Sequence, residues 1–396
     1  MAPLAVLYAA IAAAFTYYWR LARKARQLPA RGIAVFAVAG LFVAWCSPLL
    51  FSSDVYAYAA YGELWRIGRN PYEAIPAGIA DPLVRAAQVQ WITAFPICVY
   101  GPLFVGLARV VASTFAGFGP LTQLNAFRVM ASFALLLCIP LSVVAYGGDR
   151  DARLRAALTI ALNPVAIWCA AEGHNDAIAL SLVLTGFAAL RAPQLRLWVR
   201  RLGAPIVMLA ALIKAPAVAA AVGLAVADRR SRIAVLVGLP IVAAASWPLI
   251  GGALVHVAAG GRYAPQASVQ AIVAPVGEVP AILVAASLAA LLAARGIARI
   301  RSGSIEGWIW LGLACWALVP NPYPWYGIWL LALAALAPLS RPGTAALALT
   351  LTSVLRYIPD AVGAPNAAAS VLLGACATLP FLLLIVGHKA EGRLVY

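Results

Sequence analysis

Apolar positions in this chain come in long unbroken runs rather than alternating or recurring once per helical turn. Each run is about 17–25 residues, the length a helix needs to cross a hydrocarbon core roughly 30 Å thick. Crossings are expected near residues 3–19, 33–50, 122–145, 156–171, 177–192, 232–250, 278–298, 305–319, 325–339, 343–357 and 367–387. Alternating segments of about ten residues, the mark of an outer-membrane barrel, are absent from this pattern. The reading is an all-α polytopic membrane protein of about 11 transmembrane helices, built as one domain over residues 1–396.

Composition agrees. With 64% hydrophobic and 11% charged residues and a mean hydropathy of +0.92, a soluble globular enzyme is excluded, since soluble domains carry roughly 25% charge. The formal charge of +16, from 29 basic and 13 acidic residues, would suggest nucleic acid in a soluble chain. Here the arginines group in alternate loops, after Arg20, Arg150, Arg191, Arg229, Arg295 and Arg341, as the positive-inside rule demands. That places the N-terminus outside and the C-terminus in the cytoplasm. The first apolar run precedes any charge, so it reads as a retained span rather than a signal peptide. The six cysteines form no C-x-x-C pair, and most sit inside apolar runs as small core residues.

Two segments resist simple counting. Residues 97–115 are apolar but contain Arg109, which suggests a short helix lying in or dipping into the outer leaflet. Residues 202–227 are basic at both ends and broken at Lys214-Ala215-Pro216, which suggests a re-entrant pair of half-helices. The longest loop, 51–96, falls outside, and so do Asp54, Glu63, Glu73, Asp81, Glu172, Asp176, Glu278 and Asp360. No internal repeat of the kind that marks transporters built from related halves is evident.

Chemistry is therefore sought on that outer face. Phe51-Ser52-Ser53-Asp54-Val55-Tyr56-Ala57-Tyr58 leads from a span into the loop. An amphipathic helix is expected next, through Glu63 and Trp65-Arg66, ended by Gly68 and followed by Arg69-Asn70-Pro71-Tyr72. Aromatic and polar groups interleaved in this way suit a sugar, and equally suit an interfacial belt. Glu172-Gly173-His174-Asn175-Asp176 groups carboxylates, an imidazole and an amide between two spans. It reads either as a helix cap or as a functional cluster at membrane depth. Too few ligands gather there for a convincing zinc site. Lys214 either snorkels or pairs with an acid, or contacts a phosphate within the membrane. Pro320-Asn321-Pro322-Tyr323-Pro324-Trp325-Tyr326 makes a stiff turn whose rings are belt anchors or cavity lining. Arg262-Tyr263 and Arg356-Tyr357 are weaker candidates on the same side.

Taken in order, Ser53-Asp54-Val55-Tyr56, Gly68-Arg69-Asn70-Pro71-Tyr72, Tyr100-Gly101-Pro102-Leu103, Asn163-Pro164, Gly173-His174-Asn175-Asp176, Ile213-Lys214-Ala215-Pro216 and Pro324-Trp325-Tyr326 resemble a known pattern. It is that of bacterial GT-C integral-membrane glycosyltransferases, in particular the polyprenol-phosphomannose-dependent α-mannosyltransferases. The resemblance implies a GT-C fold in the bacterial plasma membrane. It also implies inverting transfer of a sugar, mannose first, from a polyprenyl phosphate to a lipid-linked or glycan acceptor on the extracytoplasmic face. Asp54 matches the presumed general base. A lipid phosphate leaves as an anion, so it needs cationic stabilisation and no second carboxyl. Lys214 with Arg66, Arg262 or Arg356 would supply it. Tyr58, Asn70, Tyr72, Tyr100, Glu172, His174, Asn175, Asp176, Tyr323, Trp325 and Tyr326 would bind sugar or acceptor. No cofactor is expected; a divalent metal between Asp54 and Asp176 is the less favoured alternative. The rival class is a carrier or flippase for a lipid-linked sugar or anionic lipid.

Overall fold

The computed structural model describes residues 2–24, 28–73, 79, 81–90, 95–192, 194–248, 264–363 and 366–385, and among them every regular element is a helix. Five helical stretches are long and apolar enough to cross a membrane: Ala5–Arg23, Pro120–Ala145, Glu278–Arg301, Arg341–Val362 and Ala367–Leu384. A sixth span exists if two helices that meet at a 50° bend count as one.

The helices up to the bend are α1 (Ala2–Arg23), α2 (Ala30–Trp45), α3 (Asp54–Arg66), α4 (Pro82–Val89), α5 (Pro102–Thr114), α6 (Pro120–Ala145) and α7 (Arg150–Ala161). Then come α8 (Pro164–Ala171), α9 (Asp176–Arg191), α10 (Leu197–Arg201), α11 (Gly203–Ala211), α12 (Val218–Ala227) and α13 (Arg229–Ala245). The α7–α8 bend falls inside the run expected as one span. Its cause is local: Asn163 caps α8, accepting from the amides of Val165 and Ala166, both at 3.1 Å. Pro164 supplies the preset first residue of that helix.

Several expected crossings are shorter than a bilayer is thick. The run at 305–319 gives a 12-residue helix, Glu306–Ala317, and 325–339 gives nine residues, Tyr326–Ala334, buried on almost every side. A run that is apolar all round fits the interior of a protein as well as lipid, so run length alone does not fix the number of crossings. The 97–115 segment forms α5, whose 13 residues reach only about 20 Å.

The long first loop is better packed than an amphipathic surface helix would be. From Ala57 to Leu64, α3 is buried without interruption. It lies under α5 so closely that a methyl group on Gly62 would stand 2.2 Å from the Ala108 carbonyl oxygen. Small residues at 57, 59, 60 and 62 allow that approach. Together α3, α4, α5 and the start of α6 enclose a separate core with Tyr58, Tyr61, Leu83, Phe104 and Phe127. The helix does end as its sequence indicates, with Gly68 at φ +80°.

Candidate active site

A cavity of about 770 Å³ opens where the first loop, the 212–217 break and the proline-rich turn converge. Asp54 lies on its wall, at the first position of α3. Ser52 accepts from the Asp54 amide at 2.9 Å, and the Tyr100 hydroxyl donates to Asp54 Oδ2 at 2.8 Å. The carboxylate is therefore oriented, while its other oxygen has no such tether from Tyr100.

Across the cavity α11 stops at Ala211, Lys214 takes an extended conformation, and a short 3₁₀ turn (Ala215–Ala217) leads into α12. The last carbonyls of a helix have no partner within it. Here the amide of Leu103 donates to Leu212 (3.1 Å) and that of Gly101 to Ile213 (3.3 Å). Only glycine fits at 101, since a Cβ would sit 2.0 Å from the Leu212 oxygen. The first loop is thus hydrogen-bonded to the break that carries Lys214.

Lys214 is 9% exposed. Its Nζ lies 3.1 Å from Asp176 Oδ2 and over the rings of Tyr100 (5.1 Å) and Tyr326 (5.0 Å). Desolvating a lysine is costly unless it is paired, and this pairing keeps a cation at the cavity wall. The wall beyond it is apolar, with Ala211, Val218, Leu239, Val242 and Ala243.

A stack of rings forms the third side. The His174 and Trp325 rings are 4.4 Å apart at 19°, and Trp325 and Tyr323 are 4.5 Å apart at 10°. Arg356 covers the other face of Tyr323 at 4.7 Å, donates to its hydroxyl at 3.0 Å and pairs with Asp360 at 3.1 Å. Both faces of Trp325 and both of Tyr323 are therefore occupied, so these rings meet the cavity by their edges.

The site residues expected from the sequence fall into three groups. Asp54, Tyr100, Lys214, Tyr323, Trp325 and Tyr326 line the cavity. Tyr58, Glu172, His174, Asn175 and Asp176 are buried behind its wall. Glu172 differs from a sugar ligand in a definite way: its carboxylate accepts from the amides of Leu50 and Phe51 and stands 3.7 Å from His174 Nε2. Tyr58 packs edge-on to Tyr100 and Phe104, its hydroxyl 3.4 Å from His174 Nδ1. Outside the cavity lining, Arg66 pairs with Glu63, and Asn70 donates to Glu73 at 2.8 Å. Tyr72 donates to the Tyr100 carbonyl at 2.9 Å. Arg356 lies behind Tyr323 as described, and Arg262 is outside the described residues. Among the described residues no group of three or more His, Cys, Asp and Glu side chains is placed to hold a metal.

Gln90, which the sequence does not single out, also lines the cavity, and so does Asp360, expected on the outer face but with no role of its own. Asp360 stands four residues after Arg356, a spacing that signals an ion pair on a helical turn. Gln90 accepts from the Ser53 hydroxyl at 3.4 Å, a contact across the loop that no local spacing reveals.

Fold and site together define an all-helical chain, with apolar helices suited to a polytopic membrane protein, that sets a carboxylate and a buried cation on one cavity. The profile of a family described as alpha-(1→6)-mannopyranosyltransferase, N-terminal domain, matches residues 1–230, and the chain belongs to that family. It is 30% identical over 158 residues to an alpha-(1→6)-mannopyranosyltransferase of Mycobacterium tuberculosis, covering 36% of this chain and 25% of the relative. It is 29% identical over 175 residues to alpha-(1→6)-mannopyranosyltransferase A of the same organism, covering 41% and 32%. The matched stretch thus spans about a quarter to a third of those relatives. No solved structure matches the chain.

Proposed function

We propose that this chain is an inverting glycosyltransferase of GT-C architecture. It moves mannose from a polyprenyl phosphate to a hydroxyl of a lipid-linked or glycan acceptor on the extracytoplasmic face. The observation that carries this reading is the pairing, across one cavity, of a tethered carboxylate with a cation bordered by an apolar wall.

Asp54 takes the acceptor O–H proton as that oxygen attacks the anomeric carbon. The bond from that carbon to the phosphate oxygen breaks, and its electron pair leaves with the lipid phosphate. Negative charge on the phosphate rises as the bond breaks, so Lys214 stabilises the transition state more than the bound substrate. Residues Ala211, Val218, Leu239, Val242 and Ala243 accommodate the start of the prenyl chain, which sets the phosphate beside Lys214. Inversion yields an α-linked product from a β-linked sugar donor. The relatives' name suggests a primary hydroxyl, at C6 of the acceptor sugar, as the nucleophile.

Incubation of the purified protein with polyprenyl-phosphate mannose and membrane lipids, followed by mass spectrometry, tests this. A lipid or glycan gaining one hexose, with release of polyprenyl phosphate, is expected. Movement of the lipid between leaflets with no covalent product would replace the enzyme by a carrier.

A further inference from the structure

Tyr100 touches both chemical poles of the cavity through different parts of one side chain. Its hydroxyl donates to Asp54 Oδ2 at 2.8 Å. Its ring lies under Lys214 Nζ, 5.1 Å from the centroid. Its backbone is clamped too: Tyr72 donates to its carbonyl at 2.9 Å, and the next amide, of Gly101, donates to Ile213, the residue before Lys214. Tyr58 and Phe104 pack edge-on against the ring, at 4.9 and 5.6 Å, and leave it 6% exposed.

We propose that Tyr100 is a positioning residue that sets the distance between the proton-accepting carboxylate and the phosphate-binding cation, with separable roles for its hydroxyl and its ring. The proposal rests on the reading of Asp54 and Lys214 given above, and it assigns Tyr100 no sugar contact. A hydroxyl that donates to a carboxylate fixes which oxygen remains free to accept a proton. An aromatic face under an ammonium holds that charge in place without neutralising it, as a second carboxylate would. The ring thus keeps Lys214 available to a phosphate while Asp176 satisfies it from behind. Reaction needs base and leaving group held at a fixed separation, and small displacements are costly in rate. One rigid side chain bonded to both is a direct means of fixing it.

The two roles predict different kinetics. Tyr100→Phe keeps the ring and removes the hydroxyl, so kcat should fall about tenfold to a hundredfold, the worth of a hydrogen bond to a charged group. Its KM for polyprenyl-phosphate mannose should stay within about twofold, because the ring face that carries the cation–π contact remains. Tyr100→Leu removes both, so the same loss of kcat should be joined by a rise of roughly 3- to 30-fold in that KM. Tyr326→Leu removes the other ring beside Lys214, along with its edge contacts to Tyr323 and Trp325, but leaves the Asp54 tether in place, so it should raise KM with a much smaller effect on kcat. Binding of polyprenyl phosphate alone, followed by tryptophan fluorescence, should weaken in the two leucine variants and hold in Tyr100→Phe. Thermal unfolding in detergent confirms that each protein is folded before it is compared.

Unchanged kcat in Tyr100→Phe would overturn the hydroxyl's role. Equal rises of KM in the phenylalanine and leucine variants would reduce Tyr100 to packing. Wild-type protein that binds polyprenyl phosphate but transfers no mannose would instead refute the function proposed above, and the binding series would still decide the role of the ring.

Discussion

Asp54 stands where a loop becomes a helix, and the dipole at that end of the helix favours a negative charge. Asp54→Asn preserves the shape of the side chain and an oxygen for Tyr100 to bond, but it accepts no proton. Mannose transfer should fall by roughly 10²- to 10⁴-fold, the usual contribution of a general base, with the unfolding midpoint unchanged. A radiolabelled transfer assay with a parallel melt measures both. Lys214 behaves differently because its partner is fully buried. Lys214→Met leaves Asp176 as an uncompensated interior charge and should destabilise the fold by about 3–5 kcal/mol. Adding Asp176→Asn to it should restore the melting temperature but not the use of the sugar donor. Recovery of both would show that the pair is purely structural. The place of these two residues on the cavity was legible in the sequence because an acid at a span boundary and a lysine in an apolar run both stand out. The role of Glu172 was not, because its partners, the amides of Leu50 and Phe51, lie 122 and 121 residues earlier in the chain.

At the scale of elements, local chemistry is read well and burial poorly. Asn163-Pro164 carries a helix-start signal that the expectation of one span over 156–171 overlooks, and a helix starts there. Lys214-Ala215-Pro216 announces a break, and the chain breaks. What α3 packs against is written elsewhere: its small residues receive α5, so a helix expected at an interface lies inside the protein. The two glycines beside the first loop's helices separate these effects. Gly101→Ala puts a methyl group into the Leu212 carbonyl and should cost about 1–3 kcal/mol as overpacking, displacing Tyr100 and lowering transfer. Gly68→Ala meets open space at φ +80°, so it should cost only about 1 kcal/mol of backbone strain and leave transfer intact. Differential scanning fluorimetry alongside the transfer assay distinguishes the two.

Over the whole molecule, the runs and arginines give an apolar helical chain, but not which runs face lipid. Helices of nine and 12 residues at Tyr326–Ala334 and Glu306–Ala317 are both apolar and largely buried within the protein. The cavity also lies beyond local sequence, since its walls draw on residues as far apart as Phe51, Gln90, Tyr100, Lys214, Leu239, Tyr323 and Asp360. Ser53 lines that cavity and is part-exposed, which offers a test of sidedness. In a cysteine-free background, Ser53→Cys should react with a membrane-impermeant maleimide added outside intact spheroplasts. Labelling only after lysis would place the cavity on the cytoplasmic side and refute the proposed orientation.

The hydrogen bonds from Gly101 and Leu103 to the 212–213 carbonyls also impose an order in time. Synthesis runs from the N-terminus at roughly 5–20 residues per second, so the first loop is complete for several seconds before its docking site exists. Throughout that interval Tyr100 has neither Ile213 behind it nor Lys214 above it. The proposed base is made early and aligned late, by the same segment that delivers the cation. A nascent chain therefore carries the acid of the site without its geometry, and assembly of the later helices is what arms it.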